Sequence, residues 1–265
     1  MIKHKINLML VLLMLATAIQ AQTTITVETD KPKFEVKPTM WGIFFEDINF
    51  GADGGLYAEM VKNRSFEFAQ PLMAWKEEKS DRFALASNAG KILVINTGLE
   101  SNERFARVTV NAESGYAITN EGFRGMGIKK GERYNFSVLA AQVEGNTKLR
   151  INLVDAKGNI IGEGSVSPSG KDWKKYSASL VASATDAKGS LQIWFDGKGT
   201  MDIDMVSLFP AATWKNRPGG LRQDLVQLLA DMKPGFLRFP GGCIVEGRDL
   251  ASRYQWKKTV GDVNK

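Results

Sequence analysis

Two apolar runs in this chain end in acids, and the second also delivers a thiol. The first is Trp41-Gly42-Ile43-Phe44-Phe45-Glu46-Asp47. The second is Leu237-Arg238-Phe239-Pro240-Gly241-Gly242-Cys243-Ile244-Val245-Glu246. Each reads as a short strand that breaks and then presents polar side chains. In barrels and open sheets, ligands collect at the carboxyl ends of strands, where turns free side chains to face them. A carboxylate placed after an apolar strand costs several kcal/mol to bury unless hydrogen bonds satisfy it. Hydroxyl groups of a polar ligand can supply those bonds, so Glu46 and Glu246 point to a pocket for a hydroxyl-rich molecule.

Composition removes other chemistries. The single histidine is His4, inside the leader, which excludes Ser-His-Asp triads, Cys-His pairs and histidine metal sites from the mature chain. Cys243 is the single cysteine, so no internal disulfide can form. With no histidine to activate it, its thiol reads as a small packed side chain, not a nucleophile. Carboxylates, amides, Tyr, Lys and Arg remain, and no cofactor is implied. The formal charge of +6 is spread among interspersed acids and bases. A nucleic-acid footprint would gather the bases on one stripe, so no nucleic-acid partner is expected.

The elements that must position these groups follow from the pattern. Lys3 and Lys5 precede an apolar core from Ile6 to Leu15, far short of a bilayer span. Residues 1–21 read as a secretory signal, cut after Ala18 or Ala21. No cysteine near the cut allows a lipid anchor. The mature chain is therefore expected in a periplasm or outside the cell, without a membrane partner. Thr24 to Glu28 alternates like an edge strand, and Trp41 to Phe45 reads as a parallel strand buried on both faces. Leu56 to Asn63 reads as a short helix turning Tyr57, Met60 and Val61 inward. From about residue 71 to 212 the texture is different. Short alternating runs (104–110, 133–138, 149–154 and 191–195) are divided by turns at Lys130-Gly131, Glu144-Gly145-Asn146, Lys157-Gly158-Asn159 and Asp196-Gly197. This predicts an antiparallel β-sandwich. Leu221, Leu225, Leu228, Leu229 and Met232 then form one stripe of an amphipathic helix, stopped by Pro234-Gly235. Parallel strands need a crossover, so this helix is expected to join the Trp41 strand to a strand at Phe236 to Phe239, with the sandwich inserted between. The fold class is thus α/β plus all-β. It comprises an incomplete (β/α)8 barrel, first strands only, in segments 22–70 and 213–265, around a guest sandwich at 71–212. A full barrel takes about 250 residues, which leads us to read the chain as the front part of a longer protein.

On these segments, together with Gly55-Leu56-Tyr57-Ala58-Glu59-Met60-Val61-Lys62-Asn63-Arg64-Ser65-Phe66-Glu67, the sequence resembles the α-L-arabinofuranosidases of glycoside hydrolase family 51. The resemblance implies a (β/α)8 barrel, a jelly-roll domain that the N-terminal strand helps complete, and an inserted sandwich of galactose-binding-like type. It implies removal of terminal α-L-arabinofuranosyl units, with retention, from arabinose-containing plant polysaccharides or oligosaccharides. By the same resemblance Glu46 would bind sugar hydroxyls, Arg238 would stand beside the pocket, and Cys243 would occupy a position that in several members is a sugar-contacting Asn. The family's catalytic glutamates lie on later strands, one after Gly-Asn-Glu, a tripeptide absent here. Retention needs two carboxyls about 5–5.5 Å apart. Residue type alone would nominate Glu46 with Glu246, and the resemblance assigns both to binding instead.

Alternatives stay open at several positions. Glu246 could line the pocket or pair with a neighbour such as Arg248. Arg238 could neutralise an acid or hold a barrel closed. Trp75, Trp173 and Trp194 could stack on sugars or fill a core. Asn63-Arg64-Ser65 is a glycosylation pattern that reads better as serving packing or the pocket. A non-catalytic carbohydrate-binding protein is the second reading and a structural or adhesion module the third. The oligomeric state is not legible.

Overall fold

The computed structural model describes residues 24–78, 89–98, 102–113 and 115–262, so the leader lies outside the described residues. Among them no helix is long and apolar enough to cross a membrane. Residues 24–40 stand as a unit by themselves. They hold a turn closed by the Lys31 N–H on the Glu28 carbonyl and one 3-10 turn at Pro38–Met40. The edge strand expected at Thr24 to Glu28 is not formed. Ile25 and Val27 are both exposed, and no ladder satisfies the backbone there.

The second unit is dominated by sheet. Its strands are β1 (Ile43–Phe44), β2 (Trp75–Glu78), β3 (Gly90–Asn96), β4 (Arg104–Val110), β5 (Tyr116–Asn120) and β6 (Met126–Ile128). They continue as β7 (Arg133–Gly145), β8 (Lys148–Val154), β9 (Ile160–Val166), β10 (Lys174–Val181), β11 (Asp186–Asp196), β12 (Gly199–Pro210) and β13 (Leu237–Arg238). Two helices, α1 (Gln223–Asp231) and α2 (Cys243–Glu246), flank β13. One antiparallel sheet runs β10-β7-β12-β4-β3, and the other runs β2-β5-β11-β8-β9 with β6 added on β11. Alternation decides the inner faces. In β4, Ala106, Val108 and Val110 enter the core while Phe105, Arg107 and Thr109 turn outward. Val108, Phe136 and Ile203 from one sheet share a cluster with Ile118, Ile151 and Phe195 from the other. Each such side chain contributes about 1.5–3 kcal/mol through burial. The hairpin after β7 needs glycine, because Gly145 has φ +74 and a Cβ there would meet the Lys198 carbonyl at 2.4 Å.

The stretch expected to be a helix, Leu56 to Asn63, is instead irregular, and its donors explain why. The Met60 N–H bonds the Leu208 carbonyl, Ala58 N–H bonds the Gly220 carbonyl, and Lys62 exchanges bonds with the buried Asn120 amide. Backbone groups spent on remote partners cannot also close i−4 turns. The buried Glu59 carboxylate accepts from the Val61 and Leu208 N–H groups at 2.9 Å each and from the Ser207 hydroxyl, with Arg64 at 3.5 Å. Burial pushes its pKa up, against those bonds. Beyond it, Val61 and Phe66 plug the sandwich core, with Phe66 stacked on Trp75 at 5.6 Å. Asn63 is 5% exposed; its amide donates to the Pro71 and Met73 carbonyls and accepts from Phe68 N–H. Of packing and pocket, the two roles read from the sequence, these bonds are those of packing.

The remaining α/β part is thin. β1 and β13 pair in parallel, Ile43 with Leu237 and Phe44 with Arg238, as a two-stranded sheet. The expectation that the Trp41 strand is buried on both faces fails, since Trp41 and Phe44 are exposed. A strand with one neighbour and no covering layer cannot hide both faces. α1 forms where the leucine spacing predicted, yet Leu228 on its stripe is 65% exposed.

Asp204 sits at the bulge in β12, where Met205 takes φ +47. It accepts from Met205 N–H at 2.7 Å and from the Asn102 amide at 2.8 Å. Burial, which outweighs those bonds, pushes its pKa up from 3.8 to about 6. A raised carboxyl favours the fold while protonated, so its contribution is full below pH 3.8 and lost as pH rises through about 6. Urea unfolding should therefore show stability falling across that window, and Asp204→Asn should flatten the fall. Equal slopes in the two proteins would contradict this.

Candidate functional site

Three backbone bonds fix the two strand ends. Ile43 N–H bonds the Phe236 carbonyl at 3.0 Å, Phe45 N–H bonds Arg238 at 2.9 Å, and Gly235 N–H bonds Trp41 at 3.1 Å. Gly42 is required for this approach, as a Cβ there would lie 2.5 Å from the Phe236 oxygen. The rings of Phe45 and Phe239 stack at 5.9 Å just past the pair. The chain then turns at Pro240-Gly241-Gly242, with a cis Phe239–Pro240 peptide.

Glu46 lies against that turn. A Cβ on Gly241 would meet the Glu46 Cγ at 2.7 Å, and one on Gly242 would stand 3.7 and 3.8 Å from its carboxylate oxygens. Gly241 also has φ +140, so glycine is demanded twice. Asp47 closes the loop after β1 by accepting the Ala52 N–H at 3.0 Å. Glu46 is half-buried and lines neither of the two cavities beside the sandwich.

The other sequence-read residues gather less tightly. Arg238 is exposed, with its guanidinium 5.1 Å from the Phe44 ring and no ion pair to an acid among the described residues. Cys243 opens α2 and is exposed, which corrects the reading of a packed side chain. The residues before it are the turn glycines Gly241 and Gly242, which offer no side chain to cover it. Glu246 ends α2, exposed, and forms no ion pair with Arg248 among the described residues. Of the tryptophans, Trp75 is core, while Trp173 is 44% exposed and meets Phe105 edge-on at 5.4 Å.

Trp194 belongs to a group that the sequence reading did not assemble. On the outer face of the second sheet, Thr119, Gln192, Asn152 and Glu163 lie opposite one another across β5, β11, β8 and β9. The adjacent row holds Trp194, Arg150 and Ser165. The Gln192 carbonyl oxygen accepts from Trp194 Nε1 at 2.7 Å and Asn152 Nδ2 at 3.2 Å. Arg150 lies 5.0 Å over the Trp194 ring and pairs with Asp196 through two bonds of 3.0 Å. Asn152 Oδ1 and Thr119 Oγ1 are buried without partners. Such atoms are uncommon and unfavourable. The signal was the alternation that puts Arg150 with Asn152, and Gln192 with Trp194, on one face.

The fold is thus a two-sheet antiparallel sandwich set between two parallel-paired strand ends that carry acids. A family model described as a carbohydrate binding domain matches residues 58–199, and one described as an α-L-arabinofuranosidase 1 domain matches residues 228–265. By these matches the chain belongs to the carbohydrate binding domain family, within a frame shared with the α-L-arabinofuranosidases of glycoside hydrolase family 51. An extracellular exo-α-L-arabinofuranosidase of Streptomyces chartreusis is 38% identical over 91% of this chain and 30% of its own length. α-L-Arabinofuranosidase 1 of Arabidopsis thaliana is 34% identical over 89% of this chain and 36% of its length. A solved arabinose-bound family 51 α-L-arabinofuranosidase is similar with a TM-score of 0.76 at 30% identity, covering 88% of this chain and 39% of that one. The chain spans about a third of the length of the curated relatives it matches.

The contact at Gly241 yields a direct test. Gly241→Ala must displace Glu46 or strain the turn, a change worth about 1–3 kcal/mol. Thermal unfolding should show that loss, and a crystal structure of the variant should show Glu46 moved. An unshifted Glu46 at unchanged stability would refute the contact.

Proposed function

We propose that this chain supplies the sugar-recognising N-terminal part of a secreted, retaining α-L-arabinofuranosidase. Such an enzyme removes terminal non-reducing α-L-arabinofuranosyl residues from arabinan or arabinoxylan. The observation that carries the reading is the parallel pairing of β1 with β13, which sets the Glu46 carboxylate against Gly241 and Gly242. A carboxylate beside bare backbone offers an acceptor to ring hydroxyls, and the further barrel elements would complete the pocket around it. In this reading Arg238, Cys243 and Glu246 border the same pocket. The two strands are the first of a (β/α)8 barrel, and the exposed apolar side chains of Phe44, Leu228, Leu237 and Phe239 are those that further strands and helices would cover.

Bond cleavage with retention needs a nucleophilic and a proton-donating carboxyl. We assign neither to Glu46 or Glu246, and no Gly-Asn-Glu occurs in these residues. The expected outcome is that the 265 residues alone do not hydrolyse an aryl α-L-arabinofuranoside, while a polypeptide of the relatives' length does. In the latter, Glu46→Gln should raise KM by about tenfold or more, the scale of one lost charged hydrogen bond. Turnover by the short chain would overturn the assignment of binding over catalysis.

A second reading, a non-catalytic carbohydrate-binding protein, is favoured by the face around Trp194. The half-buried Trp194 indole and the Arg150 guanidinium beside it suit a ligand with a stacking face and hydroxyl acceptors. Affinity electrophoresis in arabinan and xylan tests it. Retarded migration that Trp194→Ala abolishes is expected, and unretarded wild-type protein would make the sandwich a spacer.

A further inference from the structure

A cavity of about 850 Å³ lies where the sandwich meets the α/β segment, and nothing above uses it. Its α/β wall comes from the loop after β1, which carries Phe50, and from the start of α1, which carries Gln227. Its sandwich wall comes from the turn after β5, which carries Phe123. Phe50 is 41% exposed, although its ring meets Phe123 edge-on at 5.4 Å and the Lys62 ammonium stands 4.8 Å from its centroid. Asn49 and Phe50 hold φ +54 and +63 in succession, a conformation that bulky residues seldom adopt. The loop thus keeps an apolar ring at a wet opening, where folding alone would turn it inward.

The charges of the lining cancel. Arg124, Lys129 and Arg222 face Glu59, Glu132 and Asp224, and Arg222 already grips Asp224 at 2.6 and 3.1 Å. An ionic ligand gains nothing from such a wall. A neutral sugar ring, with one apolar face and a rim of hydroxyls, gains from both the phenyl groups and the polar side chains. The loop and the start of α1 both lie on the side to which β1 delivers Glu46. We infer that this seam cavity is a cleft for the main chain of a neutral polysaccharide, with Phe50 as its stacking platform. The inference rests on the glycan-directed reading above.

Calorimetric titration of the intact chain with xylohexaose and with a linear arabinohexaose tests it. Phe50→Ala should weaken binding about tenfold, and Phe50→Trp should keep it. Gln227→Trp, at an exposed helix position, should fill the cleft and weaken binding even if Phe50→Ala fails to fold. Trp194→Ala reports separately on the sheet face. If the Phe50 and Gln227 variants bind as wild type while Trp194→Ala loses all binding, the cleft is refuted and the sandwich reading stands. If the wild-type chain binds neither oligosaccharide, the cleft is refuted, and the arabinofuranosidase reading is judged separately by hydrolysis with the longer polypeptide.

Discussion

The buried carboxylate of Glu59 is placed where the chain enters the sandwich, and two of its donors, Ser207 and Leu208, lie where the chain leaves it. Removing a charge from water is unfavourable, and its raised pKa records that. Bonds from two backbone N–H groups and a hydroxyl offset the penalty, so the carboxylate ties entry and exit strands together. With the Met60–Leu208, Ala58–Gly220 and Arg222–Leu56 backbone bonds, it holds the two ends of the insertion together and so shortens the loop that β1 and β13 must close. The β1–β13 pair, whose own register sets Ile43 against Leu237 and Phe44 against Arg238, is helped to form by a seam that it does not touch. The position of Glu46 over Gly241 inherits that register.

The sandwich was the most legible part of the chain. Arg104 to Val110 alternates so regularly that its strand could be read to the residue, and glycines at 131, 145, 158 and 197 mark turns in which each holds positive φ. The leucine spacing gave α1 for the same reason, because local periodicity and local structure agreed. Leu56 to Asn63 was misread where they disagreed. Its fate is decided by Asn120, Leu208 and Gly220, partners that local periodicity cannot reveal. The face around Trp194 escaped for a related reason. Arg150 and Trp194 become neighbours only through the register of β8 with β11. At the strand ends, Glu46 was conspicuous because an acid after an apolar run is conspicuous. That Gly241 and Gly242 make room for its side chain was not foreseeable from either segment read alone.

The two parts of the molecule differ in how much of their apolar surface they bury. Leu149, Ile193 and Phe195 in the sandwich are fully buried, while Leu237 and Leu250 in the α/β part are 63% and 76% exposed. The sandwich carries its own core, and the α/β part offers faces and edges that want neighbours. Evolution of binding and of chemistry can proceed separately in such an arrangement. The sandwich tolerates change on its outer faces while its core persists, and strand-end residues answer to whatever surrounds them.

The sealed environment of Asn63 has a consequence for making this protein. Asn-Arg-Ser is an acceptor for oligosaccharyltransferase, which acts on the nascent chain in a eukaryotic secretory pathway. A glycan attached there would replace one of the two Nδ2 hydrogens that bond the Pro71 and Met73 carbonyls and would wedge a bulky substituent beside Trp75. Molecules modified before closure could not mature, so yeast or insect-cell secretion would sort into an unglycosylated, folded fraction and a glycosylated, retained one. Bacterial export, which lacks that competition, is the better route to material.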